Sequence, residues 1–351
     1  MLLCKKSNGR VRYEKTLTIV VAFSLLVAIL AVPGCKRAQG PVKLGLGSVT
    51  SIAKSRDASG DIPATAQADT TVVAVILDSK GKILNVNIDT AQTTVGFDAD
   101  MQVTSDKDAE IKTKKELGFA YGMNERSEIG KEWHEQIAAL EDWMIGKTVE
   151  EVKNMKVKER DASHPSVPDV PELTSSVTIT VQDYIAALEE AAANAVEVKN
   201  YNSLGLGIIV SIDSSRDATD TAPAMAQVDT IMAATAFDKD GNIAGTVLDT
   251  AQARIPYDAE GKVATDKNDA VKTKKELKED YGMRDRSDIG KEWYEQVEAF
   301  EEWMTGKPIN DVVMLNVTDR GNPDIPELTS SVTITVTELI QAVQEAYRYK
   351  R

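Results

Sequence analysis

Leu44-Gly45-Leu46-Gly47 returns 160 residues later as Leu204-Gly205-Leu206-Gly207, and the same offset holds without a gap through Arg160 and Arg320. About 56 of the 117 aligned positions are identical, which makes the chain a tandem of two homologous units. Past Arg160 the first unit is longer: Asp161 to Val167 stands where the second has only Gly321-Asn322, and Pro168-Asp169 then matches Pro323-Asp324. Length variation of that kind marks an exposed loop. Each unit runs to about 150 residues, the usual size of an independently folding domain, whereas solenoid repeats run about 20 to 50. The expected layout is a leader over residues 1–35, a first domain over 36–196, a short polar linker over 197–202 and a second domain over 203–351. Relative motion is the default expectation for domains so joined.

Within a unit the first half reads as antiparallel strands. The β-branched runs Thr70 to Leu77 and Ile83 to Ile88 flank Asp78-Ser79-Lys80-Gly81-Lys82, and the second unit has Asp238-Lys239-Asp240-Gly241-Asn242 in the same place. A Gly-containing turn between such runs signals a hairpin. Asp-x-Asp-Gly also occurs in calcium loops, but the first copy lacks the second aspartate and no glutamate closes either loop, so a plain turn is the reading. The second half turns helical. Ile129, Trp133, Ile137, Leu140 and Met144 fall on one helix face, and Ile289, Trp293, Val297, Phe300 and Met304 repeat the stripe. Ser127 and Ser287 are candidate N-caps, and Gly146 and Gly306 stand where a left-handed terminating residue is needed. A last helix is expected over about Val181 to Val196 and Val336 to Tyr347. The fold class is therefore α+β, with each domain an antiparallel β-sheet covered by helices.

Location is read from the N-terminus. Lys5, Lys6, Arg10, Arg12 and Lys15 precede an apolar run from Leu17 to Pro33, which closes on Val32-Pro33-Gly34-Cys35. This is the pattern of a secretion signal whose terminal cysteine is lipidated and becomes the new N-terminus. An uncleaved anchor helix is the alternative, and either places the body of the chain outside the cytoplasmic membrane, held to it at Cys35 or through the helix. Cys4 and Cys35 are the only cysteines, so the mature chain has no disulfide or cysteine-ligated metal. His134 and His164 are the only histidines and neither recurs in the other unit, which excludes a repeated histidine-based catalytic site. The formal charge of −14 becomes −18 once the leader is removed, and nucleic acid is excluded as a partner on that ground.

Pro171-Glu172-Leu173-Thr174-Ser175-Ser176-Val177-Thr178-Ile179-Thr180-Val181 matches Pro326 to Val336 residue for residue. One explanation is structural: Val177, Ile179 and Val181 alternate with threonines as in a half-buried strand, and Thr180 is placed to cap the next helix. The other is a resemblance. A hairpin, then helices, then a hydroxyl-rich segment opening a C-terminal amphipathic helix resembles the FMN-binding domain family, found in a component of the sodium-translocating NADH:quinone reductase and in Gram-positive electron-transfer lipoproteins. That family's flavinylation motif is Asp, two variable residues, Ser/Thr, Gly/Ser, Ala and an acceptor Thr/Ser. Glu172 to Thr178 and Glu327 to Thr333 match it with Glu for Asp and Val for Ala. The resemblance implies FMN held as a phosphoester on Thr178 and Thr333, with Ser175, Ser176, Ser330, Ser331, Glu172 and Glu327 beside it. It further implies a separate flavin transferase and redox partners, in an extracytoplasmic, lipid-anchored electron carrier rather than a turnover enzyme. The alternative is a cell-surface binding or interaction lipoprotein that keeps the fold without the cofactor.

Tyr121 and Tyr281, each in a Tyr-Gly-Met loop, are the candidate aromatic contacts, whereas Trp133 and Trp293 belong to the core stripe and Trp143 and Trp303 also read mostly as core. Gln67 and Asp69 with Gln227 and Asp229, and Asp89-Thr90-Ala91-Gln92 with Asp249-Thr250-Ala251-Gln252, are repeated polar sets suited either to a ligand or to strand-end turns. The shared run Lys112-Thr113-Lys114-Lys115-Glu116-Leu117 reads as a solvated face.

Overall fold

The computed structural model describes residues 41–351; the leader and the lipidation site Cys35 lie outside the described residues. In the first copy, strands β1 (Val42–Ser51), β2 (Thr65–Leu77) and β3 (Ile83–Gly96) form an antiparallel meander. Helix α1 (Lys114–Leu117), helix α2 (Trp133–Met144) and helix α3 (Val149–Lys153) follow. The hairpin of β4 (Val157–Lys158) and β5 (Val167–Pro168) comes next, then helix α4 (Gln182–Ala193) and strand β6 (Val196–Val198), which pairs with β1. The second copy repeats the plan with β7 (Ser203–Ser211), β8 (Met225–Phe237) and β9 (Ile243–Pro256), and with helices α5 (Lys274–Leu277), α6 (Trp293–Met304), α7 (Ile309–Val313) and α8 (Thr337–Arg348). In place of β6, Arg351 exchanges backbone hydrogen bonds with Leu204 of β7. The α+β class, with antiparallel sheets under helices, is as the sequence indicates.

Glycine decides how the last helix meets the sheet. A Cβ on Gly45 would stand 1.9 Å from the Ala191 carbonyl oxygen and one on Gly47 2.2 Å from that of Ala187. On Gly205 and Gly207 it would stand 1.9 Å from the carbonyls of Ala346 and Ala342. Small residues on both partners thus let α4 and α8 rest on the strand backbone itself, the reason for glycine inside a strand. Leu44, Leu46, Leu204 and Leu206, on the opposite face of the same strands, point the other way, and there the two sheets meet. Val72, Ala74 and Ile76 join Met232, Ala234 and Ala236 in one buried cluster. A second shared cluster includes Phe97 and Tyr257, whose rings lie 5.0 Å apart. The layers run helix, sheet, sheet, helix. Strands buried on both faces read as continuous apolar runs rather than alternations, as Val72 to Leu77 does.

Several details differ from expectation. Strands β3 and β9 run on through Asp89–Gln92 and Asp249–Gln252, so these sets are not strand-end turns. Glu197 and Val198, expected in a linker, are sheet residues of β6, residues 199–202 lie outside any strand or helix, and the two copies share cores. Helices α2 and α6 begin at Trp133 and Trp293 behind capping boxes on Glu132 and Glu292, not at Ser127 and Ser287. Gly146 and Gly306 do adopt the left-handed terminating conformation, with φ of 81° and 84°. The segments from Pro171 and Pro326 are turns, not strands, and no side chain caps α4 or α8, so Thr180 is no cap.

Candidate functional site

The hydroxyl-rich turn is fixed by its apolar residues. Leu173 and Val177, and likewise Leu328 and Val332, are four apart and buried on one side, while Val181 and Val336 are sealed beneath the start of the last helix. Between these anchors the threonine named as flavin acceptor is half-exposed in both copies. Its backbone and side chain are held by one group. Gln136 Oε1 accepts from Thr178 N at 2.8 Å and Oγ1 at 3.3 Å, and Gln296 Oε1 accepts from Thr333 N at 2.8 Å and Oγ1 at 3.1 Å. Both glutamines are fully buried, and their amide nitrogens donate to Ser127 Oγ and Lys131 O, or to Ser287 Oγ and Lys291 O. The serines expected as caps thus orient glutamine instead. With its nitrogen satisfied, each glutamine presents an acceptor, so the threonine hydroxyl donates to it and keeps its lone pairs outward. Sequence reasoning missed these glutamines, though each falls three residues after a stripe tryptophan and four before Leu140 or Phe300, on the same helix face in both copies.

Thr333 lines a cleft of about 640 Å³. Ile231, Met283, Val332 and Leu339 supply apolar wall, Lys274, Arg320 and Asn322 supply donors, and Tyr281 and Trp293 supply rings. Lys274 is placed by a capping box: Thr273 Oγ1 accepts from Glu276 N at 3.2 Å and Glu276 Oε2 accepts from Thr273 N at 2.7 Å. Its Nζ lies 5.3 Å from the Tyr281 ring centroid and 5.2 Å from that of Trp293. Lys114 repeats this at 5.0 Å from Tyr121 and 5.4 Å from Trp133, and burial pulls its ammonium down to about 8. The neighbouring lysines turn the other way, to Glu141 and Glu301, each at 2.6 Å. The run from Lys112 is therefore not a solvated face; Thr-x-x-Glu was the available signal. Asp229, in the wall of the cleft, accepts from Gln227 at 2.8 Å and Gln252 at 2.9 Å, and Glu338 across from it is pushed up by burial and by that carboxylate.

The remaining candidates are spread out. Glu172, Glu327, Ser175 and Ser330 are exposed, and Ser176 and Ser331 turn their hydroxyls back to Leu173 O and Leu328 O. Tyr121 donates to Gln92 Oε1 at 3.3 Å. Trp133 and Trp293 are core, whereas the half-buried Trp143 and Trp303 stack beneath Lys147 and Lys307, on other contacts. In the first copy Tyr184 replaces Leu339 and accepts from Trp133 Nε1 at 3.0 Å, and Thr71 replaces Ile231, so two apolar wall residues give way to hydroxyl-bearing ones. Among the described residues no cluster of histidine, cysteine and carboxylate groups is suited to a metal, and no helix is long and apolar enough to cross a membrane.

Part of the chain resembles a named reductase. Over 104 residues it is 36% identical to chlorophenol reductase of Desulfitobacterium hafniense. The match covers 26% of this chain and 32% of that protein, so the chain spans about a third of that relative's length. No protein family matches the chain, and no solved structure does.

The residues present suit a flavin mononucleotide. Cofactor pockets measure about 300–1,000 Å³, which this cleft matches in size, and its lining sets apolar and aromatic side chains beside a larger share of polar and charged ones, Asp229, Asp288 and Glu338 among them. An alcohol with free lone pairs at its edge is a nucleophile for a phosphoryl group, and cationic and amide donors nearby suit a phosphate and a pyrimidine edge.

Proposed function

We propose that this protein is an extracytoplasmic, membrane-tethered electron carrier bearing covalent FMN on Thr333 and on its counterpart Thr178, anchored through Cys35. The observation that carries the reading is the Thr333 hydroxyl, oriented by a buried glutamine at the edge of a ring-sized cleft. The partial likeness to a protein named as a reductase supports a redox role.

Attachment would be made by a flavin transferase from a flavin dinucleotide. Thr333 Oγ1 forms the new P–O bond, the bond to the adenylate half breaks, AMP leaves, and the hydroxyl proton passes to the transferase. Once esterified, Oγ1 has no proton to donate, and Gln296 still holds the Thr333 N–H, so the backbone beneath the ester keeps its place. Covalent retention suits a protein outside the cell, where a dissociating cofactor would be lost. When bound, the flavin supplies the electron chemistry, and the chain's part is to cover it, exclude water and tune it.

The test is co-expression with a flavin transferase, followed by intact-mass measurement and in-gel fluorescence after denaturation. We expect an FMN adduct that is reduced in Thr333→Ala and abolished in the Thr178→Ala, Thr333→Ala double variant. An unmodified wild-type mass under conditions where the transferase modifies a control substrate overturns the proposal.

A further inference from the structure

We infer that Lys274 is the potential-setting residue of the cleft: its ammonium group is placed to meet the electron-rich edge of a ring system bound there and so to favour that ring's reduced, anionic form. This rests on the flavin reading above. Lys274 and Thr333 line the same cleft, and Lys274 is held between two aromatic faces. Cation–π contact fixes the stem and lowers the cost of burying the charge, yet leaves the three N–H donors available. Among the described residues no carboxylate forms a salt bridge with Lys274 or Lys114, although Lys115 and Lys275 beside them are both paired. Each Lys-Lys dipeptide is thereby divided: the second lysine pairs directly with a glutamate of the following long helix, and the first makes no salt bridge and stays in the cleft, where Asp229 and Glu338 also line the wall.

Uptake of two electrons and one proton leaves a tricyclic ring of this class with one additional negative charge. A half-buried ammonium nearby interacts with that charge far more strongly than one in bulk water. The side chain therefore acts on the equilibrium between the oxidised and reduced forms, not on covalent attachment, which belongs to Thr333.

The test uses the full chain in a Thr178→Ala background, so that one flavin is present, with reductive titration by dithionite against a reference dye. Lys274→Met, Lys274→Arg and Lys274→Gln are compared with Lys307→Met, which removes a cation from the Trp303 face outside the cleft. We expect every variant to carry the adduct by mass. Lys274→Met and Lys274→Gln should shift the oxidised-to-reduced ratio at fixed ambient potential at least tenfold toward the oxidised form, about 30 mV for a two-electron couple. Lys274→Arg should stay within threefold of the parent. Equal ratios in Lys274→Met, Lys274→Gln and Lys307→Met, with adduct present in all, overturn the inference and leave the flavin reading standing. Absence of the adduct from the parent removes both. The glutamine variant keeps the test decisive should methionine disturb the aromatic packing.

Discussion

Gln136 and Gln296 show how much one side chain can organise. Each is wholly enclosed with all its polar atoms matched, so truncation leaves partners stranded rather than merely deleting a contact. Gln296→Leu should cost about 1–3 kcal/mol, the penalty for a buried donor left unsatisfied, read as a lower midpoint in urea with an unchanged slope. An unshifted midpoint would mean that the turn finds another acceptor. Gly45 and Gly205 make a harsher case, because a methyl group there must displace helix backbone, not a flexible tip. Gly205→Ala should destabilise by about 1–3 kcal/mol or more, as overpacking does, measured in the same denaturation. Both glycines were visible as a repeated motif, but what they face, the carbonyls of a helix over a hundred residues away, is not a local property of sequence.

At the level of elements, periodicity found the hairpins and the long helices because each buries a face of regular spacing, as the Trp133 to Met144 stripe does. It failed where structure is irregular. Val177 and Val181 alternate with threonines yet are anchors of a turn, because period-two spacing over five residues is equally produced by an irregular segment pinned at intervals. The site was legible only in part: Thr333 and Tyr281 do come together at the cleft, whereas the serines and Glu327 do not line it. The short helices α1 and α5 rest on capping and on a charge pair. Glu301, half-buried, receives Lys275 Nζ and the Leu248 N–H, both at 2.6 Å. Lys275→Met alone should cost about 1–3 kcal/mol by leaving that carboxylate without its charged partner, and adding Glu301→Leu should recover much of the loss, a non-additivity that a double-mutant cycle in urea would measure.

For the whole molecule, the shared cores predict one cooperative transition in place of two. Unfolding followed by far-ultraviolet circular dichroism and by tryptophan fluorescence should coincide, and Gly45→Ala should shift the entire curve; separate transitions would show independent halves. The interface also carries acid groups. Glu345 of α8 meets Glu116, Asp89, Lys115 and Arg351 in one cavity, and Glu190 of α4 meets Glu276, Asp249 and Lys275 in another. Burial, reinforced by the facing carboxylates, pushes Glu345 up, and burial, reinforced by Glu276 and Asp249, pushes Glu190 up to about 7. The folded chain therefore keeps protons that the unfolded chain releases near 4.5, so stability falls as pH rises from about 5 through 7. Glu190→Gln with Glu345→Gln should flatten that slope in melting temperatures taken across the range. A sheet face that meets its own likeness has one more implication. A shortened gene product carrying a single copy would emerge with its Leu, Val and Met surface uncovered and would need a sister molecule to bury it. Gene duplication here replaces that encounter, dependent on protein concentration, with one guaranteed by the chain itself.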